Sequence, residues 1–335
     1  MIKIENNKLR NLKFIDLFAG IGGFHYALSS FGAECIFASE WDNYAAETYF
    51  QNFNLEPQGD ITKICEEDIP SHDILCGGFP CQAFSVSGKQ KGFEDIRGTL
   101  FFDIARIVKY HHPKILFLEN VKNLAKHDNG KTLKTILKTL ENLGYSVHYK
   151  ILNASNFGLP QNRERIYIVG FRNDINSEGF QFPTPPNFPV CLMDILEKNP
   201  QNAKIINRND IEIYKEYIPE KTLFNKMTLL NKPIQIGKVN KGGQGERIYH
   251  PLGHAITLSA YGGGVGSKTG LYLVNGEIRK LSPRECARAQ GFPDEFILNG
   301  IDTQSYKQFG NSVAVPVIKA LAEKILMTYE SFSNK

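Results

Sequence analysis

The sequence has little of what disulfide-rich, metal-binding and membrane proteins need. Its six cysteines in 335 residues show no CxxC spacing, which argues against a zinc site and a disulfide framework and predicts reduced thiols. No uninterrupted apolar run approaches membrane-spanning length, and residues 1–8 lack the apolar core of a secretion signal. We therefore expect a cytoplasmic protein with no membrane partner and no metal.

A strong charge of one sign is also missing. The net charge of +4 permits a polyanionic partner but does not require one. Charged residues at 22% and hydrophobic residues at 42% are typical of globular proteins. The length is sufficient for a substantial core and more than one domain.

The chain is organised around one short segment, GFPCQAFS (78–85). Pro80 fixes its own φ and drives Phe79 towards an extended conformation, so the strand before it ends in a turn that presents Cys81. A thiol at the carboxyl end of a strand lies where ligands bind in open α/β sheets, and it becomes a nucleophile when its pKa is lowered. From this segment alone, Cys81 is equally well interpreted as a small buried hydrophobic residue.

Strands and helices alternate through the first half of the chain. Apolar runs predict strands at 13–18, 33–39, 73–76, 114–118, 147–152 and 165–170, and amphipathic runs predict helices at 24–31, 99–110 and 131–143. This alternation predicts a doubly wound, mostly parallel α/β sheet of the Rossmann-like type. Residues 85–98 contain three glycines and no period, which favours a long loop beside Cys81.

A nucleoside site is predicted at the start of the sheet. The glycine turn DLFAGIGG (16–23) opens a helix, and Glu40 follows about 20 residues later, where an acidic side chain holds ribose hydroxyls in this architecture. Trp41 would stack on a base and Asp60 would accept from its amino group. The structural alternatives are a solvated strand end for Glu40, a core aromatic for Trp41 and a helix cap for Asp60.

Polar residues occur near the ends of two later strands. Glu119 follows the apolar strand 114–118, which places a carboxyl group at the same sheet edge as Cys81. Arg163 and Arg165 are separated by one residue, so on an extended segment they point the same way. The alternative for the two arginines is a pair of surface ion-pair partners.

The second half of the chain loses the alternating pattern. A proline-rich stretch at 181–189 is followed by short extended pieces and glycine loops at 241–247 and 261–270, which predict a small irregular β-rich domain suited to phosphate and base-edge contacts. Helices are expected again from 283 and over 315–327. We expect a catalytic and cofactor domain at 1–190, a target-recognition domain at 191–282, and a helical segment at 283–335 that returns to the first domain.

Five segments occur together in a characteristic order: DLFAGIGG (16–23), GFPCQAFS (78–85), ENV (119–121), QNRER (161–165) and GNSV (310–313). In order and spacing the chain resembles the DNA (cytosine-5) methyltransferase family over nearly its whole length. Residues 241–249 and 255–264 look most like the target region of the GCGC-specific type from bacterial restriction-modification systems. Residues 250–252 and 265–267 depart from that pattern.

The resemblance implies S-adenosylmethionine as methyl donor and a flipped-out cytosine of double-stranded DNA as substrate. Cys81 would attack C6, Glu119 would protonate N3, and Arg165 together with Arg163 would bind the ring oxygen. The implied cofactor contacts are Phe18, Gly20, Ile21, Gly22, Gly23, Glu40, Trp41, Asp60, Ile61, Pro80, Leu100, Phe292, Asn311 and Ser312. The implied DNA contacts are Ser85, Ser87, Lys89, Arg97, Gln244, Arg247, Thr257 and Tyr261.

The sequence disfavours three alternatives to a DNA methyltransferase. A tRNA-modifying member of the same family would share the catalytic segments, but the glycine-loop domain favours duplex DNA. A non-catalytic DNA-binding relative is disfavoured because Cys81, Glu119, Arg163 and Arg165 are all present. An NAD dehydrogenase is disfavoured because the glycine turn does not match GxGxxG. We expect a monomer. A cognate restriction endonuclease would act on the same DNA sequence without forming a stable complex with this protein.

Overall fold

A computed structural model of the chain describes residues 9, 11–80, 99–186, 189–214 and 231–333. These residues form two compact units. The first comprises Met1–Leu152, Glu164–Thr184 and Val317–Lys335, and the second comprises Asn153–Arg163 and Pro185–Pro316. The helices are α1 (Gly23–Ser29), α2 (Asn43–Phe53), α3 (Leu100–His111), α4 (Lys131–Asn142), α5 (Pro283–Gln290), α6 (Asp302–Asn311) and α7 (Val315–Ser333).

The first unit is built on a six-stranded sheet. Its strands are β1 (Lys13–Leu17), β2 (Glu34–Ser39), β3 (Ile74–Gly78), β4 (Ile115–Val121), β5 (Tyr145–Asn153) and β6 (Glu164–Arg172), in the order β2-β1-β3-β4-β6-β5. Strands β1 to β4 pair in parallel, whereas β6 runs antiparallel to β4. The predicted doubly wound, mostly parallel sheet is confirmed.

The order of the strands creates a binding edge. From β1 the chain crosses to β2 on one side, and β3 lies on the other side of β1, so the strand order reverses between β1 and β3. Ligands of open α/β sheets bind beyond the carboxyl ends of the strands at such a switch point. The glycine turn after β1 and the segment leading to Cys81 after β3 both leave the sheet at this edge.

Apolar side chains determine how α3 packs. Phe101, Ile104, Ala105 and Val108 follow the i, i+3, i+4, i+7 spacing of one helical face and are all buried in the main core of the first unit. The continuous apolar runs of β1, β3 and β4 are buried in the same way, as expected for strands covered on both faces.

The second unit contains the smaller, irregular β structure that was predicted. Its sheet has the order β11-β10-β9-β8-β7, with strands β7 (Glu212–Ile213), β8 (Ile234–Lys238), β9 (Arg247–His250), β10 (Leu271–Val274) and β11 (Glu277–Arg279). Six buried aliphatic side chains, among them Ile236, Ile248 and Leu271, form its core.

The compact units divide the chain differently from the expected domain boundaries. Residues 283–316 group with the second unit, and only the chain from Val317 onward returns to the first. A buried ion pair helps to explain this: both guanidinium Nη atoms of Arg279 in β11 donate to the carboxylate of Glu285 in α5, at 2.7 and 2.8 Å. The pair connects α5 to the small sheet, because a buried charge is tolerated only with a bonded partner.

Among the residues that the structure describes, no helix is both long and apolar enough to cross a membrane.

Candidate active site

The glycine turn between β1 and α1 depends on unusual backbone conformations. Phe18, Gly20 and Gly22 have positive φ angles of 54°, 55° and 82°, a region that glycine occupies without strain. At Gly22 a Cβ atom would lie 2.1 Å from the ring of Phe53, so no larger residue fits there. At Gly20 a Cβ atom would meet no described atom within 4 Å, which leaves the backbone open to a ligand.

Glu40 supports this turn from the end of β2. Its carboxylate accepts hydrogen bonds from the backbone N–H of Gly20 and of Asp42, each at 2.8 Å. The residue is 9% exposed, and burial raises the pKa of its carboxyl group. Each carboxylate oxygen has a second lone pair, so Glu40 can hold the turn and still accept from ribose hydroxyls.

The next predicted cofactor residues differ in exposure. Trp41 is 79% exposed, so its indole is free to stack on an aromatic ligand, and the core alternative is wrong. Asp60 accepts from the N–H and the hydroxyl of Thr62 and caps the 3-10 helix Ile61–Lys63, as the capping alternative predicted. Ile61 is buried, Pro80 is exposed and Leu100 begins α3.

Together these residues fit a nucleoside cofactor. The turn offers an open backbone at Gly20, Glu40 offers carboxylate acceptors, and Trp41 offers an exposed aromatic surface. The described residues contain no group of histidine, cysteine and acidic side chains that could hold a metal ion.

Three other predicted cofactor residues belong to the second unit. Phe292 is buried beside Phe296 and Phe309, with ring centroids 4.4 and 5.8 Å away. Asn311 is exposed at the end of α6, and Ser312 is largely buried. Their cofactor role stays a prediction.

Glu119 and Arg165 form an ion pair near the carboxyl end of β4. Arg165 Nε lies 3.1 Å from Glu119 Oε1, and the two side chains are 14% and 10% exposed. Strand register explains the contact: Glu119 is opposite Tyr167, and Val121 is opposite Arg165, which makes the pair diagonal neighbours on one face of an antiparallel ribbon. Glu119 also stands beside Gly78, the last residue of β3.

Asn120 is a site residue that the sequence reasoning missed. It is 1% exposed, its Nδ2 donates to the carbonyl of Phe79 at 2.8 Å, and its Oδ1 accepts from the N–H of Val121. The bond to Phe79 anchors the chain two residues before Cys81. The sequence did contain a clue. Asn120 lies in the ENV segment at the end of an apolar strand, and a buried asparagine there needs a hydrogen-bond partner.

Cys81 itself lies outside the described residues. So do the predicted DNA contacts Ser85, Ser87, Lys89 and Arg97.

Arg163 and Arg165 have different partners. Arg163 is 2% exposed, and its guanidinium donates to the backbone carbonyls of Leu258, Gly310 and Ser312. Arg165 pairs with Glu119. The surface alternative is wrong for both residues, because each is buried or nearly so.

The remaining predicted DNA contacts lie in the second unit, three of them on the glycine loops and Thr257 between the loops. Gln244, Arg247, Thr257 and Tyr261 are all exposed, Tyr261 at 75%. The backbones of the two loops are in contact: the N–H of Gly266 donates to the carbonyl of Gly245 at 2.6 Å. The structure therefore brings the loop that carries Gln244 against the loop that follows Tyr261.

A buried polar cluster below the glycine turn was also missed. Asp16 is 1% exposed, accepts from the backbone N–H of His25 and lies 3.9 Å from the thiol of Cys76, while its Oδ2 has no partner among the described residues. His25 Nδ1 lies 2.7 Å from the hydroxyl of Tyr49. Burial raises the pKa of Asp16 well above its usual range and lowers the pKa of His25 to about 3.

Asp16 is expected to make stability depend on pH. Because its pKa is higher in the folded than in the unfolded state, its contribution is largest below about pH 4 and is lost as the pH rises through the folded pKa. Between the pKa of the unfolded state and that of the folded state, the free energy of unfolding falls by up to about 1.4 kcal/mol per pH unit. Asp16→Asn should remove this decline, as measured by urea unfolding at several pH values.

A control of opposite sign is available in the same unit. Arg172 lowers the pKa of the more exposed Asp174, so Asp174→Asn should lose a small stabilisation that is present at neutral pH and absent in acid. Parallel stability curves for wild type and Asp16→Asn across the whole range would contradict the assignment for Asp16.

The fold is similar to that of a solved methyltransferase structure. It matches the crystal structure of the S. pombe Dnmt2 methyltransferase with a TM-score of 0.67, over 96% of this chain and 99% of that chain, at 22% sequence identity. At this identity the match shows the fold alone.

The sequence comparison then identifies the family. Residues 12–327 match the C-5 cytosine-specific DNA methylase family, and the chain belongs to it. It is 54% identical over 326 residues to the Type II methyltransferase M.HhaI of Haemophilus parahaemolyticus, covering 97% of both chains. It is 49% identical over 333 residues to M1.ScrFI of Lactococcus lactis subsp. cremoris, covering 97% of this chain and 81% of that protein.

Membership confirms the predicted family, activity and cofactor. The chain is a DNA (cytosine-5) methyltransferase, it binds DNA, and its methyl donor is S-adenosylmethionine.

Proposed function

We propose that this methyltransferase modifies a cytosine flipped out of double-stranded DNA by covalent attack of Cys81, within the sequence GCGC, as the modification enzyme of a restriction-modification system. The observation that carries the catalytic part is the Glu119–Arg165 pair beside the end of β3. Asn120 anchors the same chain just before Cys81. An acid and a cation thus lie together beside the end of β3, the strand that leads to Cys81.

The chemistry needs this combination because C5 of cytosine is a poor nucleophile. The Cys81 thiolate forms a bond to C6, which moves ring electrons towards N3 and makes C5 resemble an enamine. A protonated Glu119 donates its proton to N3, and Arg165 donates to the ring oxygen and orients the Glu119 carboxyl group. S-Adenosylmethionine supplies the methyl group from its sulfonium. The N3 proton returns to Glu119, a base removes the C5 proton, and the S–C6 bond breaks to release the Cys81 thiolate.

The cytosine cannot reach these groups from inside the duplex. Flipping costs a few kcal/mol and is offset in part by side chains that fill the vacated space. We assign this filling to Gln244 and Arg247, which are exposed on the first glycine loop. Base-edge contacts from the second unit, including Thr257 and Tyr261, would then select the target.

Arg247→Ala is expected to weaken binding of the matched duplex by about tenfold, the scale of one good base or gap contact. The loss should be smaller on a duplex whose target base is already absent, because less rearrangement is needed there. Fluorescence anisotropy on the two duplexes measures both losses. Lys241→Ala is the matched control: a phosphate contact from the same loop should weaken both duplexes equally. Equal losses for Arg247→Ala would argue against gap filling.

Bisulfite sequencing tests the function as a whole. The chain is expressed in a host that lacks cytosine-5 methylation, and genomic DNA and tRNA are sequenced beside those from a Cys81→Ser control. We expect protected cytosines confined to GCGC sites in DNA. Protection at another sequence would overturn the target, and protection of tRNA alone would overturn the DNA assignment.

The assembly and location that we propose follow from this task. A monomer acts in the bacterial cytoplasm on nucleoid DNA, and a cognate endonuclease acts at the same site without a stable complex. Light scattering of the purified protein with and without duplex DNA tests the monomer.

A further inference from the structure

We infer that Arg163 is a positioning residue that fixes the segment bearing the predicted DNA contacts to the segment bearing the predicted cofactor contacts, rather than a group that touches the cytosine. The inference rests on the proposed function, which assigns Thr257 and Tyr261 to DNA and Asn311 and Ser312 to the cofactor.

The guanidinium contacts carry the inference. Arg163 Nη1 donates to the carbonyl of Leu258 at 3.1 Å, and Nη2 donates to the carbonyls of Gly310 at 3.1 Å and Ser312 at 2.7 Å. The three acceptors are backbone atoms of two segments far apart in sequence. Because the residue is 2% exposed, losing any of these bonds would leave a buried charge or carbonyl without a partner.

The backbone of Arg163 is held as firmly as its side chain. Its N–H donates to Asn153 Oδ1 at 2.9 Å, and its carbonyl accepts from the N–H of Ala154 at 2.9 Å. One residue earlier, the N–H of Asn162 donates to the carbonyl of Ala255 at 3.0 Å. The guanidinium therefore projects from a rigid base.

The two bridged segments also touch directly. A Cβ atom on Gly310 would lie 2.3 Å from the backbone of both Ser259 and Ala260, so only glycine permits this approach. Gln161, two residues before Arg163, connects the Leu258 segment to the end of α5. Its Oε1 accepts from the N–H of Leu258 at 3.0 Å, and its Nε2 donates to the carbonyl of Ala289 at 2.8 Å.

This arrangement separates the tasks of the two arginines. Arg165 has the partner expected of a catalytic cation, the Glu119 carboxylate, whereas Arg163 donates to three backbone carbonyls. A rigid bridge between two binding segments makes each ligand bias the other, and such coupling is reciprocal.

The test measures coupling between the two ligands. Binding of a GCGC duplex is titrated with and without S-adenosylhomocysteine, and the ratio of the two dissociation constants is the coupling factor. We expect Arg163→Met to reduce this factor at least about fivefold. Arg163→Lys should restore part of it, because one ammonium keeps the charge but cannot reach all three carbonyls. Arg165→Met is the matched control. We expect it to keep the wild-type coupling factor and to lower the single-turnover rate of methyl transfer.

The outcomes separate the inference from the proposed function. Wild-type protein that does not methylate the duplex overturns the proposed function. An active wild type in which Arg163→Met leaves the coupling factor unchanged but lowers the single-turnover rate overturns the positioning role and makes Arg163 a catalytic residue.

A second pair of measurements does not depend on the folding of the Arg163 variants. In wild-type protein, S-adenosylhomocysteine should slow hydrogen exchange of the amides at 257–260 as well as those at 310–313. Gly310→Ala should lower the coupling factor as Arg163→Met does, because it separates the same segments while leaving Arg163 in place. Protection confined to 310–313 in the wild type would overturn the inference.

Discussion

Cys81→Ser is expected to abolish methyl transfer while leaving binding of the target duplex largely intact. A serine hydroxyl at this position is far less ionised and less nucleophilic than a thiol, so addition to C6 should fail, with a loss on the order of 10⁴-fold or more. Transfer of a labelled methyl group to a GCGC duplex measures the rate, and anisotropy measures the binding.

The chain offers a matched control in another cysteine. Cys65 is exposed and unpaired, so Cys65→Ser should leave the methyl-transfer rate unchanged. A duplex with 5-fluorocytosine at the target position adds a direct readout. The fluorine replaces the C5 proton that a base must remove, so the bond between Cys81 and C6 should persist and wild-type enzyme should remain attached to DNA in a denaturing gel. Normal turnover by Cys81→Ser would refute covalent catalysis.

Glu119→Gln is expected to slow the chemical step by roughly 10²- to 10⁴-fold, the usual contribution of a general acid. Glutamine can still donate a hydrogen bond but cannot transfer a proton to N3. Affinity for S-adenosylhomocysteine should change little, because glutamine has nearly the same shape as Glu119 and keeps its place in β4 between β3 and β6. Single-turnover methyl transfer at saturating duplex and cofactor isolates the step.

Glu164→Gln controls for the loss of a carboxylate at the same sheet edge. Glu164 pairs with Lys122 on a more exposed surface, so its removal should leave the single-turnover rate close to that of wild type. An unchanged rate in Glu119→Gln would remove Glu119 from the acid role.

Local signals in the sequence predicted the first unit well. The apolar runs of β1, β3 and β4 and the periodic face of α3 depend on burial alone, so the sequence pattern was sufficient to predict them. The cap at Asp60 was likewise predictable, because a short acidic side chain before a helical turn bonds to the next amides. The resemblance to the methyltransferase family assigned Glu119 and Arg165 to one site, and the pairing of β4 with β6 brings the two side chains together.

Long-range contacts decided what the pattern could not show. Strand β4 continues through Glu119 to Val121 because antiparallel β6 pairs with those residues, whereas the apolar run by itself ended at Leu118. Asn120 and Asp16 acquire their roles from Phe79 and His25, partners that no local pattern indicates.

By itself, the sequence determined the doubly wound α/β sheet, because strand periodicity and glycine and proline turns are local properties, and the order of five segments carried the resemblance to a methyltransferase family. Only the tertiary structure decided which partners the two arginines of QNRER (161–165) bind. Two arginines on one extended segment look equivalent, but their charges are satisfied by whichever acceptors the folded chain places beside them. For Arg165 that acceptor is the carboxylate of Glu119, and for Arg163 it is the backbone of two distant segments.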